Sequence, residues 1–189
     1  SRKESEIFLS HPDIKGITLV GSTSTGLHIY GEAAKHGKRV QCLCEAKNHA
    51  LVLEDAPIAR TAAGIINSSF GCAGERCMAL PVVVVQESIA DALVEEIVKQ
   101  VKTKKVGPAY EKDTDLGPVV TAEHKKFVCD WIQKGIDEGA KVVLDGRDIK
   151  VEGYENGFYV GHTILDHVTE EMTVGQREIF GPVLCIKRV

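Results

Sequence analysis

Several features are missing from this 189-residue chain, and each absence removes a class of protein. No apolar run approaches the roughly 20 residues that cross a bilayer as a helix. The opening residues, Ser1-Arg2-Lys3-Glu4-Ser5-Glu6, lack the apolar core of a signal peptide. There is no internal repeat and no low-complexity tract. A strong charge of either sign is absent, and the net charge of -4 makes no electrostatic case for nucleic acid or an anionic membrane. Six cysteines are too sparse for a disulfide scaffold and fit a reducing compartment. Cys42-x-Cys44 and Cys72-x4-Cys77 lack the paired Cys-x2-Cys spacing of zinc sites, so no metal is expected. What remains is 43% hydrophobic and 26% charged, an ordinary globular composition of a length for one domain or parts of two.

The periodicity alternates between strand and helix. A helix ends near His11-Pro12, because the residue before proline is pushed out of the helical region. Ile17-Thr18-Leu19-Val20 reads as a buried parallel strand running into Gly21-Ser22-Thr23-Ser24-Thr25-Gly26 and a helix through Lys35. Strand, glycine-serine turn and helix let amides at a helix N-terminus face an anion. An ordinary turn capped by Ser22 or Thr23 is the plainer alternative, and the spacing is neither Gly-x-Gly-x-x-Gly nor a P-loop. Lys38 to Cys44 then makes the next strand, so this stretch reads as the end of a larger nucleotide-binding domain. Ala50 to Leu53 and Val82 to Val85 are strands on either side of a helix through Arg60 to Phe70, with Asp55 expected as its cap. Glu87 to Lys105 carries the stripe Ile89, Leu93, Ile97, Val101, and Thr121 to Gly139 carries Phe127, Trp131, Ile132 and Ile136. Ala140 to Leu144, Phe158 to Leu165 and the run from Val183 read as further strands.

The chain is organised around Phe70-Gly71-Cys72-Ala73-Gly74-Glu75-Arg76-Cys77-Met78. Gly71 and Gly74 let backbone approach a ligand closely, and Arg76 is a cation of the kind that favours a thiolate at Cys77. Two readings of Cys77 follow from local chemistry: a reactive thiolate, or a buried small hydrophobe. Cys72 reads as a packed thiol.

Three separated segments resemble the aldehyde dehydrogenase superfamily: Gly21 to Gly26, Glu75-Arg76-Cys77, and Glu178-Ile179-Phe180-Gly181-Pro182. Ala46-Lys47-Asn48-His49, Gly74 to Ala79 and Gly153 to Gly157 look like its CoA-acylating methylmalonate- and malonate-semialdehyde members. The resemblance implies an α/β fold: a three-layer catalytic domain at 47–189, incomplete at its end, after a partial Rossmann-like NAD-binding unit at 1–46. It implies Cys77 as the nucleophile that forms a thioacyl enzyme, with its own amide as an oxyanion donor. Gly21, Ser22 and Gly26 match the turn beside NAD, Glu178 the ribose ligand, and Phe180 the residue packed beside the cofactor. Arg76 would hold a substrate carboxylate by charge-assisted hydrogen bonds, a salt bridge being the alternative.

The departure from the family's pattern lies at Leu43. Hydrolytic members carry there the glutamate that activates water, a base worth roughly 10²–10⁴-fold. Glu45 would point to Leu43's side but about 7 Å along the strand. This favours transfer to a thiol such as CoA, with Leu43 and Cys44 lining the floor near the nicotinamide. His162 stands where relatives have proline and reads as a tolerated substitution, not a base. The resemblance further implies a small-molecule aldehyde partner, a homotetrameric whole enzyme, a cytoplasmic (or, in a eukaryote, mitochondrial matrix) location, and inactivity of these residues alone. A hydrolytic enzyme of other specificity, a non-catalytic interaction module and a free nucleotide-binding domain are the alternatives.

Overall fold

The computed structural model describes residues 2–189, and the chain divides into two compact units, Ser1–Ala46 and Lys47–Val189. The first contains α1 (Arg2–Ser10), β1 (Gly16–Gly21), α2 (Thr23–Lys35) and β2 (Arg39–Cys44). α1 stops two residues before Pro12, where the backbone can no longer be helical. β1 and β2 pair in parallel, from Gly16 with Arg39 to Gly21 with Cys44. One face of this ribbon, Ile17, Leu19, Val40 and Cys42, packs on Leu9, Ile29 and Ala33 of the two helices. The alternate positions, including Val20 and Leu43, are exposed. Ser22 caps α2 by accepting from the Thr25 N–H at 3.3 Å.

The second unit contains β3 (His49–Val52), α3 (Ile58–Phe70), β4 (Val82–Val85), α4 (Glu87–Val101), α5 (Ala122–Asp137), β5 (Lys141–Leu144), β6 (Thr163–Asp166) and β7 (Val183–Arg188). Its sheet runs β3-β4-β7-β6-β5, with β5 antiparallel to β6 and the other neighbours parallel. All four residues of β6 and the first four of β7 are buried, so the sheet centre is covered on both faces. Strands covered twice read as continuous apolar runs, which is why Val82 to Val85 and Val183 to Ile186 stand out in the sequence. The expected α/β class holds, with a mostly parallel sheet among helices. Among the described residues no helix is long and apolar enough to cross a membrane.

The core follows the stripes with local exceptions. Leu93, Ile97 and Val101 of α4 are buried, but α4 ends at Val101 instead of Lys105 because Lys105 turns to bond Asp115 and Leu116. In α5 the buried positions are Val128, Ile132 and Gly135, whereas Trp131 is only partly buried and Phe127 is exposed. Asp55 does not cap α3: the N-cap is Pro57, which has no side-chain donor or acceptor to offer. The expected strand over Phe158 to Leu165 is confined to Thr163–Asp166. The Phe158 carbonyl takes the Val119 N–H and the Gly161 N–H goes to Gly146, so this part spends its hydrogen bonds on loops.

Candidate active site

Cys77 is the second residue of a β-turn closed by the Ala79 N–H on the Arg76 carbonyl at 3.0 Å. Asn48 Nδ2 donates to the carbonyls of Cys77 at 2.9 Å and Ala79 at 2.8 Å, which pins the turn from outside. Two further ties bind it to the last turn of α3: the Leu80 N–H to Ser68 O at 3.0 Å, and Ser69 Oγ to Leu80 O at 2.6 Å. The end of a helix carries carbonyls with no intrahelical partner, and the Cys77 turn supplies one, the Leu80 N–H, to Ser68 O. Arg76 does the same with its side chain, Nη2 donating to Asn67 O at 2.9 Å and Ser68 O at 3.2 Å. Its hydrogen bonds are therefore to main-chain carbonyls, not to a carboxylate. Cys77 itself is exposed, which removes the reading of a buried hydrophobe.

The two glycines before it serve the protein's own groups, contrary to the expectation that they clear space for a ligand. A Cβ on Gly71 would lie 2.7 Å from Arg76 Nη2. One on Gly74 would lie 2.2 Å from the Gly181 carbonyl oxygen, and Gly74 also needs its φ of 70°. Cys72 and Ala73 share the left-handed region at 53° and 54°. Cys72 is exposed, not packed, because that conformation turns it out of the end of α3.

The Glu178–Pro182 loop meets this turn. Phe180 adopts φ 56°, a conformation that costs a non-glycine residue about 1–3 kcal/mol and persists where its surroundings hold it. His124 of α5 provides the hold, its Nε2 lying 2.7 Å from the Phe180 carbonyl and 3.4 Å from Glu75 Oε1. The acceptor at Phe180 assigns the proton to Nε2. Glu75 also accepts from the Val120 N–H at 3.2 Å. Behind the loop, Lys47 Nζ is buried with no hydrogen-bond partner among the described residues. Burial holds its pKa below the usual lysine value, while Cys185 and Glu178 pull the other way. Glu178 is half-buried within the field of that ammonium.

In the first unit, Gly26 is buried, and a Cβ there would come within 2.3 Å of Cys44 Sγ. Both residues thus serve the close packing of α2 on β2. Leu43 and Cys44 cannot line one floor together: neighbours on a strand face opposite ways, and Leu43 is exposed while Cys44 meets α2. Glu45 Oε1 accepts from the Thr23 N–H at 3.2 Å, so its carboxylate is held at the start of α2, beside Ser22 and after Gly21. His162 is buried, with its ring edge-on to Phe70 at 4.7 Å, and burial pushes its pKa down to about 4. Burial and so low a pKa make it a poor proton acceptor, in keeping with the reading that it is not a base.

Asn48, Ser69, Glu75 and His124 carry much of this geometry, and the sequence singles out none of them for it. Asn48 has the clearest signal, lying beside Lys47 in the polar joint before β3.

The model of the aldehyde dehydrogenase family matches residues 1–189. The chain belongs to the aldehyde dehydrogenase family. A malonate-semialdehyde dehydrogenase of Oceanobacillus iheyensis is 47% identical over 182 residues, 96% of this chain and 37% of that protein. One from Geobacillus kaustophilus is 48% identical over the same shares. Among solved structures, the methylmalonate-semialdehyde dehydrogenase of Oceanimonas doudoroffii superposes with a TM-score of 0.95 at 43% identity, covering all of this chain and 39% of that one. Betaine aldehyde dehydrogenase of Staphylococcus aureus, solved in complex with NAD+, gives 0.93 at 25% identity over 97% of this aldehyde dehydrogenase chain and 37% of its own. The chain thus spans little more than a third of the length of these relatives.

Proposed function

We propose that this chain carries the nucleophile of an NAD-dependent dehydrogenase for malonate or methylmalonate semialdehyde, which passes its acyl group to CoA. The observation that carries the reading is the exposed Cys77 in a turn pinned by Asn48, next in the chain to Arg76. Cys77 Sγ attacks the aldehyde carbon, and the carbonyl oxygen becomes an oxyanion. The Cys77 N–H has no protein acceptor among the described residues, and its peptide plane is fixed by the bond from Ala79 to Arg76 O. It can donate to that oxyanion without reorganising, the condition under which such donors are effective. The chemistry that NAD would supply when bound is acceptance of the hydride from the tetrahedral carbon. The acyl group then remains on Cys77 as a thioester.

The residues present fit that cofactor. In the second unit Glu178, within the field of Lys47, can accept from ribose hydroxyls, and Phe180 can pack beside the ring. In the first unit, taken by itself, Ser22 with Gly21 lies at the start of α2, where backbone amides can face an anion. Release of the acyl group favours a thiol. Leu43 has no basic atom, and the Glu45 carboxylate is engaged by Thr23. Arg76 suits an acidic substrate, since both of its bonds come from Nη2 and leave Nε and Nη1 without a protein partner among the described residues.

Product analysis of the whole enzyme tests the acceptor. Acyl-CoA should form with CoA present, with little free acid without it; free acid at full rate in its absence overturns the thiol reading. The isolated chain should reduce no NAD, since it spans so small a share of its relatives.

A further inference from the structure

We propose that Gly71 is a specificity-determining position: by lacking a side chain it seats the Arg76 guanidinium over the end of α3, one residue before Cys77, and so selects electrophiles that carry a carboxylate. This rests on the reading of Cys77 as nucleophile and Arg76 as clamp. The backbone does not require glycine here. Gly71 has φ −54° and ψ 136°, a conformation open to any residue. What excludes a side chain is the guanidinium, because the three atoms nearest an added Cβ are Arg76 Nη2, Cζ and Nη1 at 2.7, 3.1 and 3.4 Å.

The seat also orients the fork. With Nη2 over the end of α3, bonded to Asn67 O and Ser68 O, the Nε and Nη1 edges are left to meet an anion one residue from the nucleophile. Planar bidentate recognition needs such a fixed fork, and an unseated guanidinium loses it. A methyl group at 71 removes the seat without touching Cys77, Asn48 or the turn hydrogen bonds. Gly71 is therefore a positioning residue acting through Arg76.

The chain itself reports this through two alkylating agents of similar size, iodoacetate (anionic) and iodoacetamide (neutral). Modification at Cys77 is quantified by peptide mass spectrometry, and the iodoacetate-to-iodoacetamide rate ratio is compared with that of free cysteine in the same low-salt buffer. The wild-type ratio at Cys77 should exceed that of free cysteine by about fivefold, what one unit charge at about 4 Å contributes in water-like surroundings. Arg76→Ala should return it to the free-cysteine value. Gly71→Ala should bring it within about twofold of that value with the iodoacetamide rate nearly unchanged, which a general loss of structure would not do. A full ratio in Gly71→Ala, with loss in Arg76→Ala, overturns the role of Gly71 and leaves the clamp standing. A wild-type ratio equal to that of free cysteine overturns the clamp, and the proposal with it. If Gly71→Ala does not fold, the Arg76→Ala/Gly71→Ala double variant decides. The proposal expects it to melt with the Arg76→Ala single variant, and a double variant that also fails to fold overturns it.

Discussion

The side-chain amide of Asn48, just before β3, donates to the main-chain carbonyl of Cys77 at 2.9 Å, across 29 residues of sequence. The same nitrogen reaches Ala79 O, so one residue holds two carbonyls of the Cys77 turn. Asn48→Ala should lower the unfolding free energy by about 1–3 kcal/mol, the usual consequence of leaving partly buried acceptors without donors. Asn48→Asp should cost more, because carboxylate oxygens would face two carbonyls. Urea unfolding measures both, and an unchanged midpoint for the aspartate variant contradicts the assignment.

Two glycines of the second unit should answer oppositely to alanine. Gly74 has φ 70° and the Gly181 carbonyl against it, so Gly74→Ala is expected to destabilise by more than about 2 kcal/mol. Gly64 lies inside α3 with nothing within 4 Å of an added Cβ, so Gly64→Ala should stabilise by up to about 1 kcal/mol. Thermal melts of the pair test whether the turn, and not glycine content as such, sets the requirement.

His162 makes stability depend on pH. Its folded pKa of about 4 lies below the ordinary histidine value of 6.5, so between these values the unfolded chain binds more protons than the folded one. Stability is then full above pH 6.5 and falls as the pH drops towards 4, by about 3 kcal/mol across the window. His162→Leu should flatten that slope. A variant as steep as wild type between pH 6.5 and 4 would place the dependence elsewhere.

At the far end of the sheet, Arg188 bonds Asp166 at 2.7 Å and also meets Asp91 and Glu87. Asp166 is 1% exposed; burial raises its pKa, but the bonds from Arg188 and the His167 N–H outweigh this and hold it below the usual value. That contribution is present above 3.8 and is lost as acid protonates the folded carboxyl. Arg188→Ala strands a buried carboxylate and should cost about 3–5 kcal/mol, while the Arg188→Met/Asp166→Asn double variant should recover much of it. Denaturant titration of wild type and the two variants tests this, and equal losses in both variants would refute the buried pair.

Much of the architecture was legible because burial leaves a local trace. Strands covered on both faces read as Val82 to Val85 and Val183 to Ile186, and the stripe Leu93, Ile97, Val101 marks α4. The setting of Cys77 between a helix and a strand left two readings of it open, and the opposite facing of Leu43 and Cys44 follows from strand alternation alone. The cap of α3 and the extent of the strand before Asp166 were not legible. In both cases a loop decided, and a loop does not change the composition of a window.

The chain by itself therefore determined the α/β class and the order of its elements, since these follow from periodicity and residue type, while the role expected of Cys77 came from its likeness to a family. Only the tertiary structure decided what fills the space at Gly71 and Gly74, where the Arg76 guanidinium goes, and that Asn48 and His124 hold the two loops. Those contacts join residues whose separation along the chain carries no periodic signal, and they exist only once the sheet has set α3, α5 and the Glu178–Pro182 loop side by side.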